Sequence, residues 1–158
     1  MNLTKNFTLE EMTASDTAKR KGISNKPSAT QQAKLKTLCE TILQPVRDKY
    51  GKSIIVSSGF RCTKLNSLVG GASSSDHIYG CAADIHSKSD TQADNKELYN
   101  IIIKMVKSGE LKNVKQVINE FNYDWIHVSY QDGRSSKRNQ LLDAKKSGGK
   151  TVYVNSKV

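Results

Sequence analysis

Little in this chain would staple a small secreted domain or anchor one in a bilayer. Three cysteines, Cys39, Cys62 and Cys81, are an odd number at spacings unlike a zinc ribbon. That argues against a disulfide framework and reads them as small buried residues. No apolar run approaches the roughly 20 residues needed to span a membrane, so no transmembrane segment is expected. The opening MNLTKNFTLEEMTASD lacks the basic start and continuous apolar stretch of a secretory signal, and the expectation is a chain that is cytoplasmic or leaves by another route. Acids are scarce: 15 Asp and Glu stand against 25 Lys and Arg, a net charge of +10. Aromatics are only 6% of residues and no nucleic-acid reading motif is present, so the charge points to anionic partners in general and to no specific nucleic acid.

What is present fits one domain, 1–158, with a helical part at 1–52, a core at 53–130 and a basic segment at 131–158. Residues 7–20 read as a short helix in which Thr8 and Glu11 form a capping box. A longer helix runs from Ser28 to about Tyr50, with Leu35, Leu38, Ile42, Leu43 and Val46 at three- and four-residue steps, a kink expected at Pro45 and a stop at Gly51. Residues 94–107 repeat that pattern with Leu98, Ile101, Ile102, Met105 and Val106. Strands are expected at 53–60, at 81–85, in a hairpin of VKQVINEF and WIHVSY around NYD, and at 151–155. Two substantial helices with strands that do not alternate regularly with them predict an α+β fold with a small antiparallel sheet.

The chemistry gathers around SSSDHIYGCAADIHS, residues 73–87. Strand alternation places Asp84 with Ala82 and His86 on one face, and His127 with Trp125 and Ser129 on one face of WIHVSY. A His, His, Asp set with a position left for water describes a catalytic zinc site, whereas structural zinc closes its shell, commonly with cysteines. A non-haem iron triad uses the same donors, but its HxD/E spacing is missing at His77.

Ser75-x-His77-x-x-Gly80-x-Ala82-x-Asp84-Ile85, preceded by Ser57-Ser58-Gly59-Phe60-Arg61 and followed by Trp125-Ile126-His127-Val128-Ser129, resembles the zinc D-Ala-D-Ala carboxypeptidase family of peptidoglycan metallopeptidases, closest to its phage endolysin-like branch. The resemblance extends to FTLEEMTASDTAKRKGISN, LQPVRDKYG, LNSLVGGASSSDH and RNQLLDAKKSGGKTVYV, nearly the whole chain. It implies a hedgehog/D-Ala-D-Ala-peptidase-like fold with helices mainly on one face of the sheet. It further implies Zn2+ held by His77, Asp84 and His127, and a substrate contacted by Arg61, Ser75 and Trp125.

An acid three residues before the last histidine serves as general base in relatives, which selects Asp124. Strict alternation points Asp124 away from His127, while a turn at Asn122-Tyr123 would put Glu120 opposite Trp125 and beside His127, so Glu120 stays open as the competitor. His86 is expected outside the ligand set. The activity implied is zinc-dependent hydrolysis of stem-peptide bonds in bacterial peptidoglycan, as carboxypeptidase or endopeptidase, by a monomer. Such a chain would remain cytoplasmic until phage lysis releases it to the wall, or would travel on a virion. The alternative is a non-catalytic zinc-containing module that binds cell wall or builds a phage particle.

Overall fold

The computed structural model describes residues 1–157. The segment expected as one helix at 7–20 is two: α1 (Leu9–Thr13) and α2 (Asp16–Lys21). The Thr8–Glu11 capping box opens the first, and Ser15, whose hydroxyl accepts from the Ala18 amide, ends it by starting the second. The long helix begins at a Ser28–Gln31 capping box as α3 (Ala29–Leu38) and finishes as α4 (Gln44–Tyr50), with Gly51 in the left-handed conformation closing it. Between them, Cys39–Leu43 forms a π turn immediately before Pro45. Proline has no N–H to give, and the wider turn absorbs that loss inside a continuous helix. Helix α5 (Thr63–Leu68) and a 3-10 turn, Asp76–Tyr79, precede α6 (Gln92–Lys107).

Six strands, β1 (Ile54–Ser58), β2 (Ala82–Ser87), β3 (Val114–Glu120), β4 (Trp125–Tyr130), β5 (Gln140–Ser147) and β6 (Lys150–Asn155), make one sheet in the order β1-β2-β4-β3-β5-β6. The expected antiparallel sheet is corrected to a mixed one, because β5 runs parallel to β3. The connection from β4 explains it. Gln131 donates to the Asn113 carbonyl and Asn139 to that of Val114, so the chain crosses the starting end of β3 and enters β5 from there. Strand β5 was not expected at all, since its basic, weakly alternating sequence carries little strand signal. The SGG that follows it is the tight turn to β6, with Gly148 and Gly149 both at positive φ as a type I′ turn requires.

One face of the sheet, including Ala83, Ile85, Val117, Ile126 and Val128, packs into a core with Leu35, Leu38, Ile42, Leu98, Ile102 and other helical residues. Each fully buried Leu or Ile contributes about 1.5–3 kcal/mol, so this face is firmly held. The opposite face carries Asp84, His127, Ile118 and Glu120 in consecutive cross-strand pairs. Cys39 and Cys81 are buried and Cys62 half-buried, and all three are free thiols.

Candidate metal centre and active site

Asp84 and His127 are directly opposed across β2 and β4, and their side chains meet on the open face, with His127 Nδ1 3.0 Å from Asp84 Oδ1. His77 comes from outside the sheet, on the 3-10 turn. Ser75 caps that turn by accepting from the His77 amide, and Gly80, at φ 77°, ends it and returns the chain to β2. The His77 ring is oriented from behind. Its Nδ1 is 2.7 Å from the Gly59 carbonyl and donates to it, leaving Nε2 directed at Asp84 Oδ1, 3.4 Å away. Gly59 can stand there because it has no Cβ, which would collide with the Met12 carbonyl of α1. A carbonyl that fixes the tautomer of an imidazole is a common device around metals, and here only the glycine's spacing hinted at it.

One donor atom from each of His77, Asp84 and His127 lies within 4.8 Å of the other two. Bonds of about 2.0–2.2 Å in a tetrahedral arrangement separate donors by about 3.3–3.5 Å; the 3.0 Å and 3.4 Å separations from Asp84 are close to this, so the N, O, N set fits zinc once the two imidazoles settle about the ion. Electrostatics agree. Burial alone would raise the Asp84 carboxyl, but His77 and His127 beside it outweigh that and hold it below the usual carboxylate range. Burial disfavours the His127 imidazolium, yet the hydrogen bond and charge of Asp84, with Glu120 behind, raise its pKa above the ordinary value. Without a metal the pair shares a proton, which must leave His127 before that ring can donate to a cation.

The cluster opens into a cavity of about 590 Å³. Arg61, Ser75 and Trp125 line it, as does Glu120, which pairs with Trp125 across the hairpin and shares the face of His127. Burial lifts the Glu120 carboxyl above its ordinary value; His127 opposes the rise, Asp84 adds to it and Lys146 opposes it. Asp124 is exposed in the turn, lies outside the cavity lining, and its amide donates to the Glu120 carbonyl. The turn itself decides this placement. Phe121, Asn122 and Tyr123 all take positive φ, which costs non-glycine residues roughly 1–2 kcal/mol each. Asn119 accepts from the Tyr123 amide at 2.6 Å, and the buried Asn95 of α6 donates to the Tyr123 carbonyl at 2.9 Å. Those bonds hold the strained turn. His86 lies outside the donor cluster, its Nδ1 against the Ser87 carbonyl and Asp90.

A family model described as Peptidase M15 matches residues 5–129. The chain belongs to the Peptidase M15 family. Within that family, a zinc D-Ala-D-Ala carboxypeptidase from Streptomyces albus G is 54% identical over 44 residues, which are 27% of this chain and 17% of that relative. The matched span of the M15 model holds all three metal-site residues together with Arg61, Ser75, Glu120, Asp124 and Trp125. Strands β5 and β6 lie beyond it, yet Lys146 and Tyr153 from them line the same cavity. Sequence reasoning read a basic segment there with a strand at 151–155, and gave it no part in the site. Among the described residues no helix is long and apolar enough to cross a membrane.

Proposed function

We propose that this chain is a zinc-dependent peptidase that hydrolyses bonds in the stem peptides of bacterial peptidoglycan, with a lytic role of the endolysin kind and a hedgehog-like peptidase architecture. The observation that carries this reading is the convergence of His77, Asp84 and His127 in one cavity with a half-buried acid, Glu120, and a guanidinium. Membership of the M15 family and the likeness to a zinc D-Ala-D-Ala carboxypeptidase support it. When bound, zinc lowers the pKa of a water towards about 7 and polarises a carbonyl.

The remaining roles belong to the chain's own side chains. Glu120 is the general base: it shares the cavity and the His127 face, and its raised carboxyl suits accepting a proton near neutral pH and returning it to the leaving amine. Asp124 then acts only through the turn. Arg61 holds a substrate carboxylate or the scissile carbonyl oxygen. It has no carboxylate in ion-pair contact among the described residues, its Nε is buried without a hydrogen-bond partner, and its Nη2 donates to Ser75 Oγ at 3.5 Å. Such a guanidinium awaits an anion or carbonyl from outside. Trp125, edge-on to Phe121, offers an apolar wall to the peptide.

The test is digestion of purified sacculi by the zinc-loaded protein, with products identified by mass. Release of a stem fragment, lost with chelator and in Glu120→Gln, supports the reading and names the bond. Retention on sacculi without release, by a protein that still binds zinc, would favour a wall-binding module instead.

A further inference from the structure

The β5–β6 hairpin reaches the site from the side of the sheet opposite β1, after which Arg61 follows. Register explains how. Trp125 pairs with Glu120, Glu120 with Ala144, and Ala144 with Tyr153, so these four residues form one row across four strands on the open face. Ala144, small and buried, leaves space in that row between the acid and the phenol ring. Two residues on, Lys146 shares the Ala144 face of β5, with its Nζ 4.8 Å from the Phe121 ring centre and 3.0 Å from Thr151 Oγ1. No carboxylate among the described residues forms an ion pair with Lys146, unlike Lys115 in the same cavity, which is bound to Asp76 at 2.7 Å. Among the described residues the cavity therefore has a cation without an ion-pair partner on each side of the candidate metal cluster, Arg61 on the β1 side and Lys146 on the hairpin side; Lys137 also lines the cavity.

We infer that Lys146 and Tyr153 form a second anionic subsite, so that the preferred substrate is a peptide with a free carboxylate on each side of the scissile bond. This rests on the proposed peptidase reading and sharpens it. Arg61 takes one carboxylate, Lys146 the other, and the Tyr153 ring covers the peptide between Glu120 and Lys146. A stem peptide with a free side-chain carboxylate meets this demand, and one whose carboxylate is amidated does not.

Because Lys146 also lowers the Glu120 pKa, rates would mix two effects, and binding is the cleaner readout. Two synthetic stem peptides ending in D-Ala-D-Ala, identical except that one side-chain carboxylate is free or amidated, are titrated calorimetrically into zinc-loaded full-length Glu120→Gln protein, with and without Lys146→Met. Removing either the lysine charge or the carboxylate is expected to weaken binding about tenfold, and removing both no further. Tyr153→Ser is expected to weaken both peptides. Additive losses, no loss from Lys146→Met, or no binding of either peptide would overturn the subsite. Coupled binding of peptides that the unsubstituted protein fails to cut would leave the subsite standing and sink the proposed activity.

Discussion

Asp76 and Asp84 stand eight residues apart, both largely shielded from water, and keep their charge by opposite means. Asp76 is held by Lys115 at 2.7 Å and by Arg134 at 2.8 Å. Arg134 also binds Asp132 at 2.7 Å, Lys34 completes that carboxylate at 2.7 Å, and the guanidinium lies 3.7 Å from the centre of the Tyr79 ring. Two buried acids thus meet three permanent cations, and the network is closed. Among the described residues Asp84 has only imidazoles in ion-pair contact, which carry charge when protonated and offer lone pairs when not. A carboxylate satisfied by Lys and Arg builds structure; one surrounded by histidines has the donor chemistry to hold a divalent cation. The two clusters also touch in sequence, since Asp76 precedes His77, so the closed network anchors the turn that presents the first donor.

His127→Ala breaks the open cluster outright. Zinc binding by equilibrium dialysis and peptide hydrolysis are both expected to vanish, whereas loss of neither would refute the donor set. Glu120→Gln separates chemistry from metal: the rate should drop by about 10²–10⁴ with zinc content unchanged. Asp124→Asn, at the exposed turn position, should leave both intact, and an equal rate loss there would return the role of base to Asp124.

The closed network should fail differently. Asp76→Ala leaves Lys115 and Arg134 facing each other, and a loss of about 3 kcal/mol is expected in urea unfolding, at the low end for a broken buried pair because both cations partly reach solvent. Burial would raise the carboxyls of Asp76 and Asp132, but the Lys and Arg partners hold both below the ordinary value of about 3.9. Folded pKa values below the unfolded ones mean a stability contribution that is full above about pH 4 and is lost as pH falls through the folded values. With chelator present throughout, the urea midpoint should therefore fall between pH 6 and pH 3 by less in Arg134→Met than in the unsubstituted protein. Equal falls would show that the network contributes no acid sensitivity.

The candidate donors His77, Asp84 and His127 were named in the sequence by resemblance to a known family; strand alternation supplied only which residues share a face with Asp84 and with His127, and the neighbouring of β2 and β4 came from the sheet. The Thr8–Glu11 capping pair marked the start of α1 locally. Strand β5 was hidden because its residues gain strand structure from the parallel edge of β3, not from their own pattern, and the parallel pairing follows from a loop that carries no signal of direction. Asn95 looked like one more helical polar residue, and Lys146 like one more charge in a basic tail.

By itself, the sequence determined which residues bear donor atoms, which faces of the helices and strands are apolar, and where α1 and α3 start and α4 stops. All of these are set by periods of two or 3.6 residues and by contacts within a turn. Whether Glu120 or Asp124 faces the cluster, which carbonyl orients His77, and what closes the far wall of the cavity were decided only by the tertiary structure. Three consecutive left-handed residues at 121–123 are unfavourable in isolation and exist because Asn95, Asn119 and the sheet outweigh their cost. Such a choice is made by partners distant in the chain, and local pattern holds no record of it.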